Sequence, residues 1–308
     1  MAFDSSINLR NDLVFKFVFG HEKNEKILRA LLNAILGLEG PEKIVKLTFI
    51  NTFNLQEYVD DKLSILDVKA VDNTGKRVNI EMQVESDPSY INKVIYYHDR
   101  LFTTQLEEGD PYHNLNKTIS ISILNFTLLQ KEIALHNIYR YLNIKSRQEL
   151  TDIKEIHFIE LPKFKEDKPK KMQSRFEKWL HILKIGEKYG DNLDNLPEEL
   201  KEEEEIVMAL QEMVRASNDE QIRQILEMRS KARHEEATRL YNARQEGIEK
   251  GIEKGIEKGL KKGKEEGLKE GMEKRNIEVA KNLINQKFPL EAISQATGLS
   301  IDEIKKLK

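Results

Sequence analysis

The sequence predicts an α/β (α+β) fold: a mixed sheet with packed helices over about residues 1–165, followed by a helical C-terminal extension. Three observations predict it. Residues 62–85, KLSILDVKAVDNTGKRVNIEMQVE, read as two short strands around a polar, Gly-containing turn. Residues 117–127, KTISISILNFT, form a β-branched and apolar run that suits a central strand covered on both faces. Beyond residue 165, apolar side chains recur at helical spacing only, as in Phe176, Trp179, Leu180 and Leu183.

The hairpin organises the rest. With the loop Asp72–Lys76 centred on Thr74, position 67 pairs with 81 and position 69 with 79. Side chains alternate between the faces of a strand. Leu66, Val68, Ala70, Val78, Ile80 and Met82 therefore make one apolar face, and Asp67, Lys69, Asn79, Glu81 and Gln83 the opposite one. Two carboxylates directly across a strand pair repel each other. By pattern alone there are two readings. Either the face is wet and Lys69 neutralises the pair, as on many half-exposed sheets, or a hard divalent cation such as Mg²⁺ turns the repulsion into a binding site.

Four segments, NDLVFKFVFG (residues 11–20), DDKLSILDVKA (60–70), NIEMQV (79–84) and EIHFIELPKF (155–164), together resemble the Rpn family of recombination-promoting nucleases and transposases. That family lies within the PD-(D/E)XK nuclease superfamily. The likeness covers roughly the first half of the chain, and the segments follow the family's order. It implies a restriction-endonuclease-like αβββαβ core, Mg²⁺ as cofactor, DNA as substrate and endonuclease chemistry linked to recombination or transposition. Residue by residue, it implies that Asp67 and Glu81 bind the metal together with the Met82 carbonyl. Gln83 stands where the wider superfamily carries Lys, and Lys69 is the candidate to supply the missing cation. Asp12, Tyr97 and Gln105 match positions near the site and are secondary candidates. The alternative function is a catalytically degenerate nuclease fold that binds DNA or protein as an oligomer.

Composition sets the outer bounds. A chain of 308 residues accommodates one core domain with appendages. Hydrophobic residues make up 39% and charged residues 33%, which suits a compact domain joined to solvated helices. The net charge of −3 gives no global basic field, so contact with nucleic acid must rest on local Lys and Arg. There is no cysteine, which excludes disulfides and thiolate metal sites and agrees with a reducing compartment. No apolar run approaches the roughly 18 residues of a membrane span. The first residues lack the basic-then-apolar form of a signal peptide. The expected location is the cytoplasm.

In chain order, residues 8–38 predict a helix or helix pair broken near Gly20, with Asn11 and Asp12 as capping residues. Residues 44–51 predict a strand and residues 87–107 a helix with Tyr90, Val94, Tyr97, Leu101 and Gln105 on one face. His98 reads as a surface or partly buried histidine. Strands follow at 136–142 and 153–161, ended by Pro162. Residues 163–171 read as a basic linker, 166–245 as a helical region, and 198–205 as an acidic helix start.

Over residues 246–274, glycine recurs every four residues from Gly247 to Gly271. Seven helical glycines cost roughly 7 kcal/mol relative to alanine. The segment is thus either a flexible tether or a helix stabilised by self-association. In the second case the apolar residue after most glycines packs the contact, and a period above 3.6 favours right-handed supercoiling. Homo-oligomerisation is the expectation carried by that second reading. Residues 275–308 predict a small helical tail resembling a helix-turn-helix, with Gly298 as a helix C-cap and Ser300 as the next N-cap. Its last helix offers lysines but no base reader such as Arg or Asn. A tri-helical packing module is therefore expected.

Overall fold

The computed structural model describes residues 7–51, 67–165, 172 and 174–307. Lys62–Leu66 of the expected first hairpin strand and residues 166–171 of the expected linker lie outside the described residues. Two compact units are present, residues 1–230 and 231–308.

The first unit is built on a six-stranded mixed sheet. Its strands are β1 (Leu47–Asn51), β2 (Val68–Asp72), β3 (Arg77–Gln83), β4 (Thr118–Leu124), β5 (His136–Leu142) and β6 (Glu149–Glu160). The order is β1-β2-β3-β4-β6-β5. The pairs β1–β2, β2–β3 and β5–β6 are antiparallel, while β3–β4 and β4–β6 are parallel.

The β2–β3 turn follows from its residues. Asp72 Oδ1 accepts hydrogen bonds from the Thr74 amide (2.8 Å), the Thr74 hydroxyl (2.7 Å) and the Lys76 amide (2.9 Å). Gly75 sits at φ +87°, where a side chain would be strained. The resulting register, Val71 with Arg77 and Val68 with Ile80, is centred on Thr74 as the pattern predicts.

One face of the sheet carries Val68, Val78, Ile80, Ile119, Ile121 and Ile123, all buried. Helices α1 (Asp12–Phe19) and α2 (Glu25–Leu36) share that core. Asn11 caps α1 by accepting from the Leu13 and Val14 amides, and Gly37 ends α2 at φ +63°. The break between the two falls at Gly20, where a short 3₁₀ turn begins two residues later. On the opposite face lies α3 (Tyr90–Thr103). It is shorter than the spacing predicts, and Gln105 falls beyond its end.

The compact unit runs past the boundary expected at 165. Helices α4 (Arg175–Ile185), α5 (Glu198–Lys201) and α6 (Glu204–Asn218) bury Trp179, Leu180, Leu183, Leu200, Leu210 and Met213 in the same core as α1 and α2. Trp179 packs against Phe19 with ring centroids 6.0 Å apart. Strand β6 also begins earlier than predicted, at Glu149, because the residues before Ile153 pair with the end of β5.

Helix α7 (Glu220–Asn285) is helical through the whole glycine repeat. A Cβ placed at any glycine from Gly247 to Gly271 would meet nothing within 4 Å. Ile248, Ile252, Ile256, Leu260, Leu268 and Met272 are exposed. Within the second unit, α8 (Leu290–Thr297) and α9 (Ile301–Lys305) bury Ile293 and Ile304 against Ala280. Gly298, at φ +71°, ends α8, and Ser300 forms a capping box with Glu303. Among the described residues no helix is long and apolar enough to cross a membrane.

If the post-165 helices complete the core, Trp179→Ala is expected to destabilise the first unit by about 3–5 kcal/mol. The urea midpoint of the sheet-containing unit, followed by far-UV circular dichroism, checks this. An unchanged midpoint would separate α4 from that core.

Candidate active site

Strand alternation collects a polar patch under α3. Asn79 and Glu81 on β3 face the same way as Ser120 and Ser122 on β4, because β3 and β4 pair Asn79 with Ser120 and Glu81 with Ser122. The run TISISIL is buried at every position, but its second face is lined with hydroxyls rather than apolar groups. Asp67 joins at the start of β2. Asp67, Asn79, Glu81, Lys93, Val94, Tyr97, Ser120 and Ser122 line one cavity of about 10 Å³. That is room for a single water-sized particle.

Each carboxylate is held differently. Asp67 is 3% exposed. Its Oδ2 lies 2.9 Å from Lys69 Nζ, and its Oδ1 accepts from Asn51 Nδ2 at 3.4 Å. Asn51 in turn takes the Lys69 amide at 2.8 Å, tying β1 to this strand. Glu81 Oε1 accepts from the Tyr90 hydroxyl at 2.6 Å and from Ser122 Oγ at 3.4 Å. Burial pushes the Glu81 carboxyl above the ordinary carboxylate range. The Tyr90 hydrogen bond and the charge of Lys93 oppose the rise, while the Asp67 charge adds to it. Tyr90 is shifted upward by burial and by Glu81, so its phenol stays protonated and donates.

Beside them, Asn79 is 8% exposed and its Oδ1 has no hydrogen-bond partner among the described residues. An orphaned buried acceptor is costly, and this one lines the same cavity as the two carboxylates. His98 Nδ1 lies 2.8 Å from Ser120 Oγ. Burial and the charge of Lys154 push His98 down to about 4, which leaves it neutral at physiological pH.

The donor set suits a hard cation. Asp67, Glu81 and the Asn79 amide oxygen are oxygen ligands, the kind Mg²⁺ takes alongside water and phosphate. Among the described residues no group of three or more His, Cys, Asp or Glu side chains is positioned to hold a metal. The remaining positions would fall to neutral oxygens and water.

Tyr97 lines the cavity. The Met82 side chain is buried in the apolar core on the other face. Gln83 lies outside the cavity lining, with Nε2 donating to the Glu85 carbonyl at 3.0 Å. Gln105 lies outside the cavity lining: it donates to the Asn116 carbonyl and to Thr118 Oγ1, both at 3.0 Å, and accepts from the Asn116 amide. It braces the entry to β4. Asp12 is also outside the lining, in the first turn of α1, with Oδ1 accepting from the Leu13 amide at 2.8 Å and Oδ2 3.6 Å from Arg229.

Sequence reasoning missed Asn79, Lys93 and the grip of Tyr90 and Ser122 on Glu81. Two signals were available. Asn79 shares the face of Glu81 by strand parity, and Lys93 follows Tyr90 by one helical turn.

A larger cavity, about 150 Å³, lies across the sheet, where Val78 and Ile119 point. Its buried carboxylate, Glu155, is engaged by Lys117 at 2.8 Å, by Arg140, and by His157 at 3.3 Å. Burial raises the Glu155 carboxyl, but these partners outweigh it and bring it down to about 2. This cluster neutralises itself.

Among known proteins, a family model described as PD-(D/E)XK nuclease family transposase matches residues 9–243. No curated protein and no solved structure matches the chain. The match takes in every strand of the sheet and well over half the chain, and it agrees with the resemblance carried by the four segments. The chain belongs to the PD-(D/E)XK nuclease family of transposases.

Proposed function

We propose that the protein is a Mg²⁺-dependent DNA endonuclease acting in recombination or transposition. The observation that carries this reading is the convergence of Asp67 and Glu81 on one cavity that also holds an unpartnered Asn79 oxygen. Asp67 and Glu81, with the Met82 carbonyl and Asn79 Oδ1, would hold the metal. When bound, a divalent cation supplies Lewis acidity and a water of lowered pKa. The chain's own residues do the rest. Tyr90 and Ser122 fix the Glu81 carboxylate, and Asn51 and Lys69 orient Asp67. Val94 and Tyr97 narrow access from the helix side. The cytoplasm is the proposed location. One feature favours a non-cleaving binder instead: Gln83 is uncharged and turned toward Glu85.

The deciding measurement is plasmid nicking in Mg²⁺ against EDTA. Asp67→Asn is expected to slow nicking by more than about 100-fold, beyond what loss of an outer supporting group costs, with the thermal melt retained. Undiminished nicking by the variant removes Asp67 from the site. Absence of nicking by the parent chain, with DNA binding intact, favours the non-cleaving reading.

The raised Glu81 carboxyl has a pH consequence. In the metal-free protein the folded state binds this proton more tightly than the unfolded chain does, so the group's contribution to stability is present below the ordinary carboxylate pKa. That contribution is lost as pH rises through the higher folded value. Cation binding needs the ionised form and releases a proton. Mg²⁺ affinity is therefore expected to increase with pH across that window, with proton release seen by calorimetry in buffers of different ionisation enthalpy. Glu81→Gln should abolish the release; a pH-independent affinity would take Glu81 out of the ligand set.

We also propose that residues 246–274 self-associate, since their exposed Ile and Leu residues follow glycines whose surroundings are empty. Light scattering of the full chain should give a multiple of the monomer mass, reduced by joint replacement of Ile248, Ile252 and Ile256 with Glu. A strictly monomeric parent chain excludes this.

A further inference from the structure

The candidate site has two carboxylates and, among the described residues of its lining, one cation. Phosphodiester hydrolysis builds negative charge on the phosphoryl oxygens, and a positioned cation acts there in the transition state. Cations at four positions bear on this side of the sheet. Lys69 is held by Asp67 at 2.9 Å, so it is tied to a proposed metal ligand. Arg77 turns its guanidinium to Thr104 at the far end of α3. Lys154 is paired with Asp99 at 2.5 Å.

The fourth, Lys93, lines the cavity itself. It is half-buried and forms no direct ion pair among the described residues, while its charge acts on the Glu81 carboxyl. Its place is fixed by helix geometry. Tyr90, Lys93, Val94 and Tyr97 stand at i, i+3, i+4 and i+7, on one side of α3. Tyr90 anchors that side to the floor through its 2.6 Å bond to Glu81. Lys93 Nζ lies 6.0 Å from the Tyr90 ring centroid, so its stem runs beside the anchor. The result is a cation on the lining of the same cavity as the carboxylates, held beside the contact that fixes Glu81.

We propose that Lys93 is a catalytic residue, supplying from helix α3 the ammonium that stabilises the phosphoryl oxygens of the scissile DNA phosphate. The inference rests on the endonuclease reading above. In the hydrolysis the water oxygen forms a bond to phosphorus and one P–O ester bond breaks. Water gives up one proton to solvent and the departing oxygen takes one up, leaving a phosphomonoester and an alcohol. Lys93 keeps its protons throughout and acts as a point charge, the role a lysine serves at phosphate.

The test uses the full chain under single-turnover conditions, with plasmid DNA saturating and Mg²⁺ present. Lys93→Met keeps the aliphatic stem and removes the charge. It is expected to lower the cleavage rate by about 100- to 1,000-fold, with DNA affinity from fluorescence anisotropy and the thermal melt nearly unchanged. Lys93→Arg should recover part of the rate, and added methylammonium should accelerate a smaller Lys93→Ala variant but not the parent. Arg77→Met, at a cation turned to Thr104 and outside the cavity lining, is the control and should leave the rate unchanged. A parent chain that nicks while Lys93→Met nicks equally fast overturns the proposal and leaves the endonuclease reading standing. So does a loss that appears only as weaker DNA binding, with the saturated rate intact. A parent chain that never nicks, with Asp67→Asn indistinguishable from it, removes the endonuclease reading and this inference with it.

Discussion

A carboxylate taken out of water must find donors, and in this fold the Glu81 carboxylate finds them on two different elements. Tyr90 reaches it from α3 at 2.6 Å and Ser122 from β4 at 3.4 Å. The desolvation penalty is only partly offset, since the carboxyl remains shifted upward. Much of the local architecture follows from that compromise. The helix is pinned to the sheet by its first residue, the parallel β3–β4 register sets which hydroxyl comes alongside, and the small Ser side chains leave room for a cavity. An apolar side chain in place of Ser122 would fill the space and remove a donor together.

The opposite face shows how the same sheet settles charge when no ligand is needed. Glu155 is as buried as Asp67, yet it is met by Lys117, Arg140 and His157 and falls to about 2. Among the described residues Glu81 has two neutral donors and no direct ion pair. An incompletely balanced buried acid beside an orphaned amide oxygen is the physical mark that separates the candidate site from a structural cluster.

Much of the hairpin was legible in the sequence because two local rules agree there. Strand alternation sets which side chains share a face, and a turn with Asp72 and Gly75 fixes its centre on Thr74, so the pairing of Lys69 with Asn79 followed. The caps at Asn11, Gly298 and Ser300 were legible for the same reason, being encoded within a few residues. What escaped depends on distant contacts. Trp179, Leu210 and Met213 read as a separate helical region because the intervening segment is charged, and nothing local says that they share a core with Phe19. Gln105 looked like part of the α3 face because helical spacing continues past Thr103, whereas the chain leaves the helix to brace Asn116. Lys93 was overlooked because a lysine between aromatic positions reads as solvated until the helix is seen lying on the acidic patch.

The four-residue spacing of the glycines carries a geometric consequence. Each residue of an α-helix advances about 100°, so each repeat turns the notch by about 40° relative to the last. From Gly247 to Gly271 the bare backbone therefore sweeps around most of the helix circumference. Two straight rods laid side by side would share such a groove over only a couple of turns before it rotates out of reach. Successive notches instead open toward different compass directions. The notches thus climb the helix like the treads of a spiral staircase rather than lining up like a zipper.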